Sequence, residues 1–262
     1  MNPPPHETAA PAAAKVAAVT LVFWIAKIAA TTLGETGGDW VTMSLNLGYL
    51  VGTAIFAAIF AALVFAQVRA QRFHAALYWA TIVATTTLGT TMADFFDRSI
   101  GVGYPGGTSV IAALLAASLF AWHRVEGTVS IRSITTPRAE WFYWVTILFS
   151  QTLGTALGDW TAGDDRGGLA VDYENAALIF GGLLVVIAAL YWWTRLSRTA
   201  LFWAAFVLTR PLGATVGDFL DKPHAQGGLE LSRLYASLAL LVVMALCVLL
   251  FPQRAARAGH GA

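Results

Sequence analysis

The sequence predicts an all-α, polytopic membrane protein of eight transmembrane helices, built as four pseudo-equivalent helical hairpins from a duplicated half of two repeats. Three observations predict it. The chain is 57% hydrophobic and only 12% charged, against about 25% charged residues in a soluble domain, and its mean hydropathy is +0.65. Eight apolar segments, separated by short connections, approach the roughly 20 residues that a helix needs to cross hydrocarbon. A polar motif returns four times at fixed spacing.

Residues 1–14, "MNPPPHETAAPAAA", are Pro/Ala-rich and polar, and read as a disordered cytoplasmic tail. The apolar stretch after Lys15 is too long for a signal-peptide core and has no convincing cleavage site, so it reads as a body helix. The first half, 15–122, holds candidate spans at 15–38, 44–66, 73–94 and 105–122. A cytoplasmic linker covers 123–139. The second half, 140–251, holds spans at 140–159, 174–194, 198–218 and 229–251, and 252–262 is a second tail.

Charge orients these spans. Lys15, Arg69, Arg72, Arg124, Arg132, Arg138, Arg195, Arg198, Arg254 and Arg257 fall on one side, and Lys and Arg mark the cytoplasm. Both termini are therefore expected inside, in a bacterial inner membrane. The opposite loops hold Arg98, Arg166, Lys222 and Arg233 with several acids, giving an acidic outer mouth. A net charge of +1 offers no bulk basic surface for nucleic acid, and the single Cys247 in an apolar run gives neither disulfide nor Cys metal site.

The motif appears as "TTLGETGGDW" (31–40), "TTLGTTMADF" (86–95), "QTLGTALGDW" (151–160) and "RPLGATVGDF" (210–219). A Trp stands nine residues before each Leu: Trp24, Trp79, Trp144 and Trp203. An Asp stands six after it: Asp39, Asp94, Asp159 and Asp218. Repeats two and four continue as "DFFDR" and "DFLDK", adding Asp97 and Asp221. Each repeat holds two spans, so all four insert the same way round, with pseudo-rotational symmetry about the membrane normal.

These features resemble a bacterial membrane-protein family catalogued as a repeat of unknown function. The resemblance covers about 16–251. It implies the four-repeat fold and supplies no activity, so function has to come from the residues.

The pairs Gly34/Gly38, Gly154/Gly158 and Gly213/Gly217, with Gly89/Ala93, suit close helix packing in lipid. At about 100° per residue, Asp39 shares a stripe with Thr32 and Glu35, as Asp94 does with Thr87 and Asp159 with Thr152. Carboxylates in spans normally face a bundle interior and mark ion or proton pathways. Lys27 and Arg210 are cations inside spans, with partners expected on other repeats. The four Trp read as packing wedges.

The expected function is transport of a small cation, an oxygen-liganded divalent metal such as Mn²⁺ or Mg²⁺, with proton coupling open. Oxygen-only ligands suit such ions. Asp39, Asp94, Asp159, Asp218 and Glu35 are the candidate metal ligands. Asp97, Asp221, Thr32, Thr87 and Thr152 complete the ion-binding set, and Lys27 and Arg210 are the buried cations. The alternative is a non-transporting membrane module for a protein or lipid partner, its carboxylates structural. No catalytic constellation stands out, no resident cofactor is expected, and a homo-oligomer is left open.

Overall fold

The computed structural model describes residues 14–163 and 167–256. Among these are eight α-helices: α1 (Leu21–Asp39), α2 (Gly48–Arg69), α3 (Ala75–Asp94), α4 (Gly103–Glu126), α5 (Pro137–Ala162), α6 (Tyr173–Trp193), α7 (Arg198–Asp221) and α8 (Arg233–Leu250). Side-chain oxygens fix several starts. Thr20 accepts from Phe23 N, Thr136 from Ala139 N and Ser197 from Ala200 N, each satisfying a first-turn donor.

The odd-numbered helices carry the motif and close into a ring in the order α1, α3, α5, α7 and back to α1. Glycine explains the closeness. A Cβ added at Gly34 would collide with Thr86, at Gly89 with Gln151, at Gly154 with Arg210, and at Gly213 with Thr31. In each case the first motif glycine of one repeat receives the first motif residue of the next. The series runs once around and returns to repeat one.

The even-numbered helices stand outside the ring. Each packs on the inner helix of the following repeat: α2 on α3, α4 on α5, α6 on α7, and α8 on α1. The expected hairpins are therefore splayed, because the small-residue seams draw the motif helices together. The outer helices keep an apolar surface. Only Gly52, Val64 and Gln67 are buried on α2, and only Ala176 and Phe180 on α6. Five helices, α2, α4, α6, α7 and α8, are long and apolar enough to cross a membrane. The other three, α1, α3 and α5, have the length but carry the polar motif. Long apolar helices with outward-facing Leu, Ile and Val are those of a membrane protein.

Repeats one and two leave the motif Asp through π-helical turns, Trp40–Ser44 and Phe95–Ser99. Repeats three and four continue the α-helix and turn back on themselves. Leu169 N donates to Trp160 O at 2.8 Å, as Leu229 N does to Phe219 O at 2.7 Å. The different residues after the motif, "SLNLGY" and "SIGVGY" against the later "GGL", thus correspond to two kinds of exit.

The helices start close to where hydropathy places them, except the first. Thr20 is extended and α1 begins at Leu21. Residues 14–18 instead run beside the C-terminal segment. Ala17 and Ala255 form an antiparallel bridge, and Ala256 N donates to Val16 O at 2.8 Å. Lys15 Nζ meets Glu140 Oε1 at 2.5 Å and donates to Ala70 O at 2.8 Å. Residues 252–256 of the expected second tail belong to this strap. Of the expected first tail only Ala14 is described, and it is buried; the remainder, with 257–262, lies outside the described residues.

Candidate functional site

The interior of the ring is organised by rows of residues four apart, which lie one above another on a helix. The rows are Lys27-Thr31-Glu35-Asp39 on α1, Ile82-Thr86-Thr90-Asp94 on α3, Ile147-Gln151-Thr155-Asp159 on α5, and Phe206-Arg210-Ala214-Asp218 on α7. Every one of these residues is buried. Each row begins three residues after the repeat Trp and ends on the motif Asp.

The Trp end is an aromatic cluster. Tyr143 and Trp144 rings lie 5.0 Å apart, Phe23 and Trp24 5.2 Å, and Tyr78 and Trp79 5.4 Å. Several of the cluster's ring N–H and O–H groups find partners, as buried ones tend to. Tyr78 and Tyr143 hydroxyls share a bond of 2.8 Å, Trp203 Nε1 donates to Val129 O at 2.9 Å, and Trp79 Nε1 donates to Gln253 Oε1 at 3.1 Å. The Trp residues pack and close this end.

One turn further in, two cations enter the ring. Lys27 Nζ lies 4.3 Å from the Phe206 ring centroid and donates to Gln151 Oε1, on the facing helix, at 3.3 Å. Arg210 spans the other diagonal. Its Nη2 donates to Glu35 Oε2 at 2.8 Å and to Thr90 Oγ1. Thr90 in turn donates to Glu35 Oε2 at 3.4 Å, and Arg210 Nη1 to Thr31 O at 3.4 Å. Polar diagonals therefore fill the middle of the ring, and the partner of Arg210 comes from repeat one.

The four motif aspartates resolve into two pairs, each joined by a cation. Arg98 Nε is 2.8 Å from Asp94 Oδ1, and its Nη2 is 3.7 Å from Asp159 Oδ2. Lys222 Nζ is 2.9 Å from Asp218 Oδ1 and 2.6 Å from Asp39 Oδ2. The logic is helical. Arg98 and Lys222 stand four residues after Asp94 and Asp218, on the same side of the chain, and reach the Asp of the following repeat. Repeats one and three have Met43 and Gly163 at that position and cannot do so.

Asp221 joins the second pair, 3.0 Å from Arg233 Nε and 3.9 Å from Lys222 Nζ. Asp97 is buried with its carboxylate against Gly107, where no Cβ could stand. Burial opposes the charge of Lys222, but Asp218, Asp39 and Asp221 outweigh it and hold the ammonium well above its usual range. A cavity of about 470 Å³ opens beyond both pairs, lined by Arg98, Lys222, Tyr104, Asp172 and Tyr173 among others.

The carboxylates of Glu35, Asp39 and Asp218 converge. One oxygen from each lies within 4.8 Å of the others, and all three side chains are buried. Oxygens so spaced can share one ion at the 2.0–2.6 Å typical of Mg²⁺ or Ca²⁺. Asp94 and Asp159, also expected as ligands, lie with Arg98 instead. Thr32, Thr87 and Thr152 stand outside the four inward rows, and their hydroxyls donate to Ile28 O, Val83 O and Leu148 O in their own helices. The inward threonines are one residue earlier or three later, Thr31, Thr86, Thr90 and Thr155.

Sequence reasoning missed Gln151, Thr90, Arg98, Lys222 and Arg233 as members of the site. The signal for two of them was present in the final letters of "DFFDR" and "DFLDK", which occur only in the repeats that supply a bridging cation.

No curated protein and no solved structure matches the chain. The profile described as Repeat of Unknown Function (DUF347) matches four times, at residues 22–73, 77–128, 142–197 and 201–254. Each match takes in one inner and one outer helix of the ring, and the chain belongs to that family.

Proposed function

We propose that the protein is a transporter of a small cation, an oxygen-liganded divalent metal such as Mn²⁺ or Mg²⁺. The observation that carries this reading is the buried convergence of Glu35, Asp39 and Asp218. Three carboxylates gathered inside a membrane protein are expensive, and such groups commonly mark ion or proton paths. Arg210 and Lys222 then act as internal counter-ions. They hold the carboxylates when no ion is present and yield them when one binds.

The same reading places all eight helices across a bacterial inner membrane, with both termini cytoplasmic. It is supported by the ring itself, in which α1, α3 and α5 are shielded from lipid by their neighbours. The excess of Lys and Arg in the loops at the Trp end supports the orientation. The Asp pairs and the cavity beyond them then face outward.

A second reading is favoured by the ion pairs: Arg98 and Lys222 lock neighbouring repeats, and the protein is a rigid module for a lipid or protein partner. Metal content of cells with and without the protein, and with Asp39→Asn or Glu35→Gln, separates the two. A metal difference that wild type restores and the variants do not supports transport. Equal metal content in every strain, with the variants folded in the membrane, removes it.

A further inference from the structure

The donors around Lys27 outnumber their acceptors. An ammonium has three N–H groups, and that of Lys27 meets one oxygen, Gln151 Oε1, besides the Phe206 ring. Gln151 Nε2 and Arg210 Nε are buried with no hydrogen-bond partner among the described residues, and so is Thr86 Oγ1. Lys27, Gln151 and Arg210 are close in the fold. Gln151 and Arg210 hold the same motif position on neighbouring inner helices, in contact where Gly154 receives Arg210. Phe206, under Lys27, is one turn before Arg210.

The charges do not balance either. Lys27 and Arg210 are both fully buried. The one carboxylate bonded at this level, Glu35, is engaged by Arg210 Nη2. Among the described residues no carboxylate lies within ion-pair distance of Lys27; its partners are a neutral amide and an aromatic face. A buried charge demands a counter-charge or a full set of hydrogen bonds, and these partners supply neither.

We infer that Lys27, Gln151 and Arg210 form a binding site for a small monovalent inorganic anion such as chloride. Lys27 Nζ, Gln151 Nε2 and Arg210 Nε are its donors. One negative charge neutralises the single excess positive charge of two cations against Glu35. The ion accepts hydrogen bonds and donates none, which is what a cluster of spare donors requires. The site lies on the Trp side of Glu35, touches the converging carboxylates only through Arg210 Nη2, and does not depend on their carrying a metal.

The test is the thermal melting of the purified, detergent-solubilised protein at constant ionic strength, with potassium gluconate replaced stepwise by chloride or nitrate. A ligand that binds the native state raises the midpoint in a saturable way. The expected result is such a rise for wild type, lost in Lys27→Met. If Lys27→Met does not fold, Gln151→Leu takes its place, with the midpoint responding only at higher anion concentration. Equal midpoints in all three salts for wild type overturn the inference. So does an anion response that the variant leaves unchanged, because the ion then binds elsewhere. The measurement needs no transport, so its failure and a failure of the cation reading are separate results.

Discussion

Lys222 caps the C-terminal end of α7 and Asp39 ends α1, and the two meet at 2.6 Å across the seam that closes the ring. The contact joins the last repeat to the first. Its counterpart, Arg98 with Asp159, joins the second repeat to the third. The first prediction concerns these bridges. Lys222→Met leaves Asp39 and Asp218 without their shared cation, and breaking a buried pair costs about 3–5 kcal/mol. Arg98→Met should cost less, because Arg98 is more exposed and its longer contact is 3.7 Å. Melting curves of both variants check this; equal midpoints with wild type would show that the bridges do not hold the ring.

Glu35 and Arg210 make a second prediction. Glu35→Gln and Arg210→Met should each destabilise, since each strands a buried partner. The double variant should lose less than the sum, with a coupling of about 0.5–3 kcal/mol for groups in direct contact. Additive losses in the double-mutant cycle would mean that the pair is not formed.

The glycines divide sharply. Gly154→Leu and Gly213→Leu should abolish the folded yield, because even a Cβ there collides with Arg210 or Thr31. On the outer helix α6 a Cβ at Gly181 or Gly182 meets nothing within 4 Å, and Gly181→Leu and Gly182→Leu should be neutral or slightly stabilising. Detergent-solubilised yield and melting temperature for the four variants read the contrast. A folded, unshifted Gly154→Leu protein contradicts the seam.

Transport separates the carboxylates. Asp39→Asn, Asp218→Asn and Glu35→Gln should remove metal uptake or export in vesicles, since Asn and Gln keep an acceptor but lose the charge. Asp94→Asn and Asp159→Asn should leave part of it, because they belong to the Arg98 pair. Full transport by stable variants at all five positions would sink the cation pathway.

Reporter fusions address orientation. Insertions at 127–136 and 195–197 should read cytoplasmic, and one at 167–172 external. A cytoplasmic signal from 167–172 would reverse the membrane placement.

Helix number and approximate limits were legible because about 20 apolar residues and a tight repeat leave few alternatives. The identity of neighbours was not. Hydropathy does not say whether α2 packs on α1 or α3, and the answer comes from glycines that only show their partners once the helices are placed. The same holds at the site. Helical projection put Thr32, Glu35 and Asp39 on one stripe. The inward row is Lys27, Thr31, Glu35 and Asp39, because Gly34 and Gly38 turn α1 toward α3 and rotate the row to the centre. Glu35 and the aspartates belong to both stripes, so they were found. Gln151 and Arg210 replace a Thr at the first motif position, and that departure was the clue to the two diagonals.

The outer helix of each repeat covers the inner helix of its successor, and the fourth covers the first. Solenoid arrays grow by adding units at an end, and their stability rises roughly by increments. This assembly has no end at which to add. Removing one repeat would strip a neighbour of its cover and leave two glycine seams facing each other at the wrong angle. Lengthening or shortening by one unit is therefore closed to such a chain, and its stability should be lost as a whole.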